Sequence, residues 1–367
     1  MISVNCNLVG YVPGRAGGAE VFLEGLLPQI CSFEEINVTV HGSAATRSWL
    51  QGFIEQQYEF NEIGTDSPSV INRFLASRKL RSSVNTGEIV WSPLNQGIGG
   101  NRQIKEVLTI HDLIPLHYKK HHPNYGRSLS RQLMFSLRWK NSMSTARRAS
   151  AVVTVSNSNV EELQAAIGLE LPRVFGAPNG IDREKLLAAV GNPWQFSGNP
   201  NVLAVTSGSK PHKGIKTLEA VATAMPHVTF SLVGKATRTF DQKNIVATGH
   251  LSLEQLNRLY ESSSALFFPS RIEGFGLPVL EALVFGTPVV TTDIPVLREV
   301  GGSSSAYFPL DDIEAAKDQL SKVITNREAA EAMSTAGQAH ARQFTWENAA
   351  SVYRQVFNDV LKQPQTP

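Results

Sequence analysis

Two glutamates that flank a glycine turn, Glu273 and Glu281, are the most informative chemical feature of this chain. The turn follows an apolar run that ends at Phe268 and precedes a pattern typical of a helix start. Gly274 and Gly276 allow the backbone to approach a ligand closely, and amides at a helix start bind phosphate oxygens. The segment therefore suits a phosphate-bearing sugar substrate. Taken alone, however, the segment is better explained as a turn that only joins a strand to a helix, with both glutamates exposed to solvent.

A basic loop in the same half of the chain offers positive charge for a diphosphate. Residues 207–214 follow a predicted strand and contain Lys210 and Lys213, which would neutralise a pyrophosphate leaving group as flexible point charges. The alternative is a solvated basic loop. Since this loop, the Glu273 turn and a glycine-rich loop in the first half all follow predicted strands, their convergence favours a site.

The first half of the chain offers that glycine-rich loop and a histidine. Gly17 and Gly18 open a helical pattern after the first predicted strand, so their amides are placed to meet a diphosphate. The dinucleotide-binding spacing G-x-G-x-x-G is absent, and a flexible loop is the alternative. His111 ends an apolar strand, where it would contact a substrate hydroxyl or a developing charge. A histidine satisfied by hydrogen bonds at the strand edge is the alternative there.

Short apolar runs alternate with helical patterns throughout the chain, which predicts an α/β architecture with parallel sheets covered on both faces. We expect a first domain over residues 1–175, a hinge rich in Pro, Gly and Asn over 176–200, and a second domain over 201–345. The pattern of residues 346–367 predicts a helix that folds back toward the first domain. Two such sheets facing each other form a cleft lined by strand carboxyl ends. The predicted strands are Val4–Val9, Val38–His41, Ile89–Trp91, Val107–Ile110, Val152–Val155, Val202–Thr206, Thr229–Val233, Ile245–Ala247, Ala265–Phe268 and Pro288–Thr291.

Composition and charge exclude several classes of protein. The formal charge of +2 over 367 residues is too small to argue for nucleic acid, and the two cysteines fit no metal or disulfide pattern. No signal peptide or membrane-spanning run is present, so we expect a cytoplasmic protein. No acid lies between Asp112 and Glu161, and residues 71–81 are basic and amphipathic. Both patterns fit an anionic acceptor or a peripheral contact with anionic lipid, and ordinary surface helices are the alternative.

The motifs resemble, in order and spacing, those of the family 4 retaining glycosyltransferases. Residues 270–290 are similar to the E-x7-E region of that family, E-G-F-G-L-P-x-L-E-A followed by G-x-P-V-V. The resemblance implies the GT-B fold and transfer of a sugar from a nucleotide-diphosphate donor with retention, without a cofactor or bound metal. It extends over nearly the whole chain through Gly17–Glu20, His111–Asp112, Val155–Ser158, Pro178–Asp182 and Lys213–Gly214.

The resemblance also implies roles for individual residues. Glu273 and His111 would contact the donor sugar, Glu281 the ribose hydroxyls, and Lys213 the departing diphosphate. Members of the family commonly place an arginine shortly before that lysine; Lys210 stands there in this chain, which keeps the charge and loses the bidentate geometry. Backbone amides for the donor would come from Gly17, Gly18, Gly274, Phe275, Gly276 and Leu277.

The sequence constrains the identity of the donor and the acceptor less than it constrains the reaction. The run His111–His117 is most similar to bacterial mannosyl- and rhamnosyltransferases of polysaccharide assembly, which favours GDP-mannose as donor and a glycan or lipid-linked acceptor. No side chain is an obvious covalent nucleophile, which favours departure and attack on one face of the sugar. A glycosidase, a sugar-nucleotide epimerase and a non-catalytic glycan- or nucleotide-sugar-binding protein are the alternative functions.

Overall fold

The computed structural model describes residues 1–14, 17–64, 66, 70–85, 87–98, 104–121, 139–168, 173–188, 194–197, 200–206, 210–234 and 240–363, with the backbone alone at 70–74 and 118–121. The chain divides into two compact units, the first formed by Met1–Gly180 with Phe344–Pro367 and the second by Ile181–Gln343. Parts of the predicted basic and glycine-rich segments, at 15–16, 122–138 and 207–209, lie outside the described residues. Among the helices in the described ranges, none is long and apolar enough to cross a membrane.

In the described part of unit 1, seven parallel strands form one sheet in the order β3-β2-β1-β4-β5-β6-β7. The central strands are apolar and fully buried because helices cover both faces, as in β4 and β6. The strands are β1 Ile2–Asn7, β2 Ile36–Gly42, β3 Glu59–Glu62, β4 Ile89–Ser92, β5 Lys105–Ile110, β6 Ala151–Thr154 and β7 Val174–Gly176. The helices are α1 Gly18–Cys31, α2 Ala44–Leu50, α3 Val70–Ser83, α4 Ile114–His121, α5 over residues 139–146, and α6 Val160–Ile167.

In the described part of unit 2, six parallel strands follow the order β10-β9-β8-β11-β12-β13. Its core includes the rings of Phe267 and Phe308, which stack at 5.5 Å between centroids. The strands are β8 Asn201–Thr206, β9 Thr229–Gly234, β10 Ile245–Gly249, β11 Ala265–Phe268, β12 Val289–Thr292 and β13 Ser305–Phe308. The helices are α7 Arg183–Leu187, α8 Ile215–Ala224, α9 Leu253–Ser262, α10 Leu277–Phe285, α11 Pro295–Gly301, α12 Ile313–Thr325 and α13 Arg327–Ala341.

The strand order of each sheet reverses at one point, between β1 and β4 in unit 1 and between β8 and β11 in unit 2. Loops that follow two such neighbouring strands diverge to opposite faces and leave a crevice at the carboxyl edge, where ligands bind in this type of sheet. The loops that carry Gly17 and Lys213 follow β1 and β8, and the Glu273 turn follows β11. The topology therefore places the predicted site residues at the carboxyl edges of their sheets.

The sequence patterns did not predict three strands, β3, β7 and β13, and all three lie at sheet edges. β3 is the charged segment Glu59–Glu62, with two exposed glutamates. β7 has three residues and ends at Gly176, the first residue of the predicted hinge, while β13 is only partly buried. An edge strand has one neighbour and less burial, so the hydrophobic pattern that predicts interior strands is weak there.

The C-terminal helix α14, Trp346–Lys362, packs on unit 1 as the sequence predicted. Its aromatic side chains meet those of the N-terminal elements: the ring centroid of Trp346 lies 6.2 Å from that of Phe22, and that of Tyr353 lies 5.3 Å from that of Trp91. These rings are buried, and aromatic pairs at such separations add stability beyond their buried area. The helix is thus part of the core of unit 1.

Candidate active site

Lys213 and Glu273 form an ion pair at the carboxyl edge of the unit 2 sheet. The Nζ of Lys213 lies 2.6 Å from the Oε1 of Glu273, and the two side chains are only 14% and 10% exposed. The Oγ of Ser270 also donates to Glu273 Oε1 at 2.6 Å. A largely buried carboxylate oxygen that accepts from both a cation and a hydroxyl is held in one orientation.

Local backbone structure places Lys213 beside the glutamate. Pro211–Lys213 form one 3₁₀ turn, which ends at Gly214 in the left-handed region with φ 67°. A β-carbon at Gly214 would overlap the carbonyl of Pro269, so the close approach of the two loops requires glycine. The carbonyl of His212 accepts from the N–H of Arg271 at 2.7 Å, which ties the lysine turn to the segment that precedes Glu273.

The glycine turn after Glu273 opens α10. Gly276, with φ 106°, precedes Leu277 and gives the helix no side-chain cap. Gly274, Phe275 and Gly276 are buried, whereas Leu277 is partly exposed. A helix start without a side-chain cap, next to a lysine, is suited to phosphate oxygens because its amides and its dipole both favour negative charge.

Glu281 lies one turn into α10 and is held by a tyrosine. The hydroxyl of Tyr260 donates to Glu281 Oε2 at 2.7 Å. Burial raises the pKa of Glu281, and the hydrogen bond from Tyr260 opposes that rise. The two glutamates of the motif therefore have different partners, a lysine and a serine for Glu273 and a tyrosine for Glu281.

In unit 1, the glycine-rich loop leads directly into α1. Gly17 has φ 54° and ψ −122°, and with Gly18 it forms an exposed helix start that has no side-chain cap. Glu20 binds two residues that precede α1, since its Oε1 accepts from the hydroxyl of Tyr11 at 2.7 Å and from the N–H of Gly14. The sequence analysis placed Glu20 in the motif without a role, and the structure shows that it binds Tyr11 and Gly14.

His111 follows β5 and is held by the loop after β4. Its Nε2 lies 2.6 Å from the carbonyl oxygen of Pro93, and its N–H donates to Asn95 Oδ1 at 2.6 Å. The ring meets that of Phe22 edge-on, with centroids 4.7 Å apart. Because a carbonyl can only accept, Nε2 carries the proton and Nδ1 keeps its lone pair. Burial lowers the pKa of His111 to about 4, although the bond to Pro93 opposes this.

The structure brings two of the predicted site residues into contact, both in unit 2. Lys213 and Glu273 are in direct contact in unit 2, and Glu281 lies on the helix that follows the Glu273 turn. Lys210 precedes the 3₁₀ turn and is exposed, so its side chain is separate from the ion pair. Gly17, Gly18 and His111 belong to unit 1. Within the described ranges, no group of three or more His, Cys, Asp or Glu side chains is arranged to hold a metal ion.

Comparison with known proteins finds a family match within unit 2. Residues 234–340, which include Glu273 and Glu281, match the family Glycosyl transferases group 1. The chain is 34% identical over 103 residues to O-antigen chain mannosyltransferase B of Escherichia coli, across 28% of this chain and 27% of that protein. It is 25% identical over 220 residues to O-antigen chain mannosyltransferase RfbU of Salmonella typhimurium, across 56% and 57% of the two chains. The chain thus spans less than two thirds of the length of these relatives.

Solved structures match the chain over nearly its full length. Sucrose-phosphate synthase of Thermosynechococcus elongatus gives a TM-score of 0.71 at 17% identity, over 98% of this chain and 100% of that one. The Anabaena protein HepE, solved with UDP and glucose, gives a TM-score of 0.66 at 16% identity, over 99% and 100%. The fold is GT-B. Each unit of this GT-B chain is a Rossmann-like sheet, as the sequence predicted.

Sequence reasoning missed three polar residues around the predicted ones, namely Ser270, Tyr260 and Asn95. Ser270 lies inside the quoted motif, and its position three residues before Glu273 at a strand end was an available signal. Tyr260 and Asn95 lie outside the motifs, on α9 and in the loop after β4. Asn95 has φ 56°, a conformation that asparagine adopts more readily than most residues. Their roles depend on contacts between separate elements.

Proposed function

We propose that the protein is a retaining glycosyltransferase that moves a hexose, with mannose favoured, from a nucleotide-diphosphate sugar to a glycan or lipid-linked acceptor. The observation that carries the proposal is the pairing of Lys213 with Glu273 beside the uncapped start of α10. Charge for a diphosphate and a carboxylate for sugar hydroxyls then lie next to each other. The match of residues 234–340 to Glycosyl transferases group 1 supports the same reaction class.

The roles follow from the chemistry of each group. Lys213 neutralises the charge that develops on the leaving diphosphate, and the amides of residues 274–277 bind its oxygens. Glu273 accepts hydrogen bonds from donor-sugar hydroxyls, and Glu281 accepts from the ribose. Lys210 adds an exposed charge near the diphosphate, which makes it an auxiliary group.

The proposal also assigns roles to residues of unit 1. The neutral imidazole of His111 accepts a hydrogen bond from a sugar hydroxyl at Nδ1, because Nε2–H is already donated to Pro93. The amides at Gly17 and Gly18 face the substrate at the start of α1. Both assignments use groups at the carboxyl edge of the unit 1 sheet: the Gly17 loop follows β1 at the point of strand-order reversal, and His111 follows β5, the neighbour of β4.

The reaction proceeds on one face of the sugar. The bond between the anomeric carbon and the diphosphate oxygen breaks first, and the acceptor oxygen forms its bond on the same side. The acceptor proton passes to the departing diphosphate oxygen, so charge and atoms balance without a protein nucleophile. Lys213 and the amides perform the electrostatic work, and the proposal assigns no step to a metal ion or cofactor.

The nature of the relatives favours mannose as the transferred sugar. Both curated relatives described above are named as O-antigen chain mannosyltransferases. GDP-mannose is therefore the favoured donor, and a growing polysaccharide or its lipid-linked precursor is the favoured acceptor. We place the reaction in the cytoplasm or at the inner face of the membrane, where the donor is available.

A membrane-facing role for α3 belongs to the same proposal. Leu75 is 56% exposed, and Arg78 and Lys79 next to it are exposed as well. An apolar side chain flanked by cations suits an anionic lipid surface. Co-sedimentation with vesicles that contain phosphatidylglycerol, compared with phosphatidylcholine alone, tests this; equal binding by wild type and Arg78→Glu/Lys79→Glu would contradict it.

The decisive experiment incubates the protein with GDP-mannose, and in parallel with UDP-, ADP- and dTDP-glucose, in EDTA. We expect slow release of a nucleoside diphosphate without acceptor, faster release with a lipid-linked diphosphate acceptor, and a product with the anomeric configuration of the donor by NMR. A thermal-shift panel of the same donors identifies the base, because a ligand that binds only the folded state raises Tm by mass action.

Each alternative function gives a different result. An epimerase yields an isomeric nucleotide sugar with no diphosphate released, and a binding protein shifts Tm with no product. A glycosidase cleaves glycosides and ignores nucleotide sugars. Inverted product, or activity that returns only with added Mg²⁺, would refute the retaining or the metal-independent part of the proposal.

A further inference from the structure

Tyr260 of α9 covers the face of α10 that carries Glu281. Its hydroxyl donates to Glu281 Oε2 at 2.7 Å, and its ring stacks on Phe285 with centroids 5.5 Å apart and planes 9° apart. Glu281 and Phe285 are neighbours on one helix face because they are four residues apart. One tyrosine thus contacts two successive positions of α10.

The tyrosine is held rigidly by its own surroundings. It is fully buried, and its carbonyl accepts from Thr287 Oγ1 at 2.6 Å, just after α10 ends. At its other end α9 begins with a capping box between Ser252 and Gln255. The start of α9 is therefore capped, and its end is tied to the residues that follow α10, which holds Tyr260 in place beside Glu281.

The hydrogen-bond partner of the Tyr260 hydroxyl is a carboxylate, and this pairing requires a physical reason. A backbone carbonyl can satisfy a tyrosine hydroxyl, as the carbonyl of Gly302 does for the partly buried Tyr307 at 2.7 Å. Glu281 is instead an ionisable group whose pKa is raised by burial, and keeping such a group costs stability. Glu281 as a residue is only partly buried and lies one turn into α10. Perturbed groups in such positions are typical of binding sites.

We infer that Tyr260 is a positioning residue that orients the Glu281 carboxylate toward the ribose hydroxyls of a nucleoside diphosphate. The inference rests on the proposed function, which assigns the ribose to Glu281. Tyr260 engages Oε2, and Oε1 accepts from the ribose. Burial keeps the pKa of Tyr260 well above its usual range, so the phenol remains a donor.

The test is a thermodynamic cycle that compares the loss of the Tyr260 hydroxyl with the loss of a ribose hydroxyl from the nucleotide. Calorimetry gives Kd for GDP and for 2′-deoxy-GDP and 3′-deoxy-GDP, with the UDP and ADP series in parallel. We expect wild type to prefer a ribonucleotide over a deoxy analogue by about tenfold, and Tyr260→Phe to lose most of this preference by weakening only the ribonucleotide. Tyr353→Phe removes a buried tyrosine hydroxyl from unit 1 and should leave the preference unchanged.

A second variant keeps the inference testable if Tyr260→Phe folds poorly. Glu281→Gln should lose the same preference, and Tyr260→Phe added to Glu281→Gln should have no further effect on Kd, because the tyrosine acts only through the glutamate. If folded Tyr260→Phe kept the full ribose preference, or if the effects on Kd were additive in the double variant, the inference about Tyr260 would be overturned. The proposed function would not be affected by either result. Failure of wild type to bind any of the three diphosphates would overturn the proposed function as well.

Discussion

The ammonium of Lys213 and the carboxylate of Glu273 lie 2.6 Å apart although the residues are 60 positions apart in the chain. The contact exists because β8 and β11 are adjacent and parallel, so the loops that follow them emerge together at the carboxyl edge. Each charge neutralises the other in a largely buried setting. A bound diphosphate would share the lysine, and a sugar hydroxyl would share the glutamate.

Single and double variants of this pair separate catalysis from stability. Lys213→Met and Glu273→Gln should each lower kcat by about 10² to 10³, because each removes a preorganised group. Lys213→Met should also lower the free energy of unfolding, by up to about 3 kcal/mol, since it strands a buried charge. The double variant should recover that stability in urea denaturation while staying inactive. Wild-type-like turnover in either folded single variant would contradict the site assignment.

Ser270 should support Glu273 in the reaction. Its hydroxyl is buried and has one proton, and its distance to Glu273 Oε1, 2.6 Å, is shorter than the 3.1 Å to the carbonyl of His212. Ser270→Ala should lower kcat about tenfold, the cost of one hydrogen bond to a charged group, and leave KM for the donor nearly unchanged. Ser262→Ala, which removes an exposed hydroxyl bonded to the carbonyl of Arg258, is the matched control. Equal kinetics for both variants would exclude the role of Ser270.

His111 should act as a neutral group over the whole physiological range. Its pKa is lowered to about 4 by burial, so it becomes protonated only in acid. His111→Asn should therefore lower kcat/KM by a constant factor of about 10 to 100 between pH 5.5 and 8, without moving the pH profile. A titration of wild-type activity near pH 6.5 that disappears in the variant would show instead that the histidine changes protonation state during catalysis.

Interior strands and the glycine turn could be predicted from the sequence because their causes are local. Ala265–Phe268 is a run of apolar residues, and the glycine turn that was expected to open a helix ends at Gly276, directly before α10. The edge strands could not be predicted in this way. Glu59–Glu62, for example, pairs only with β2, and its charged side chains carry no pattern of burial.

Only the site residues that belong to sequence motifs could be predicted. Lys213 and the Glu273 turn were expected to converge because both follow strands, and strand order then brings them into contact. The hydroxyl of Tyr260 reaches Glu281 because of the packing of α9 against α10, for which no spacing in the sequence is diagnostic. The same holds for Asn95, whose contact with His111 joins loops after two different strands.

A buried histidine away from the candidate site should set the acid stability of unit 1. His41 is 2% exposed, and its Nε2 donates to Asn5 Oδ1 at 2.8 Å, which leaves Nδ1 as a buried acceptor without a partner among the described residues. Burial lowers its pKa to about 4, although Glu88 nearby opposes the shift. Protonation would put an unpaired charge in the core, so the folded state resists it.

The sign of the pH dependence follows from this lowered pKa. Between about pH 6.5 and pH 4 the unfolded chain binds a proton that folded His41 does not, so the free energy of unfolding should fall by about 2 to 3 kcal/mol as the pH drops. Urea denaturation followed by tryptophan fluorescence at several pH values measures this. His41→Gln, which keeps a donor for Asn5, should reduce the slope in that window, whereas the exposed His227→Gln should not. A slope that is the same in wild type and His41→Gln would show that other groups set the acid stability.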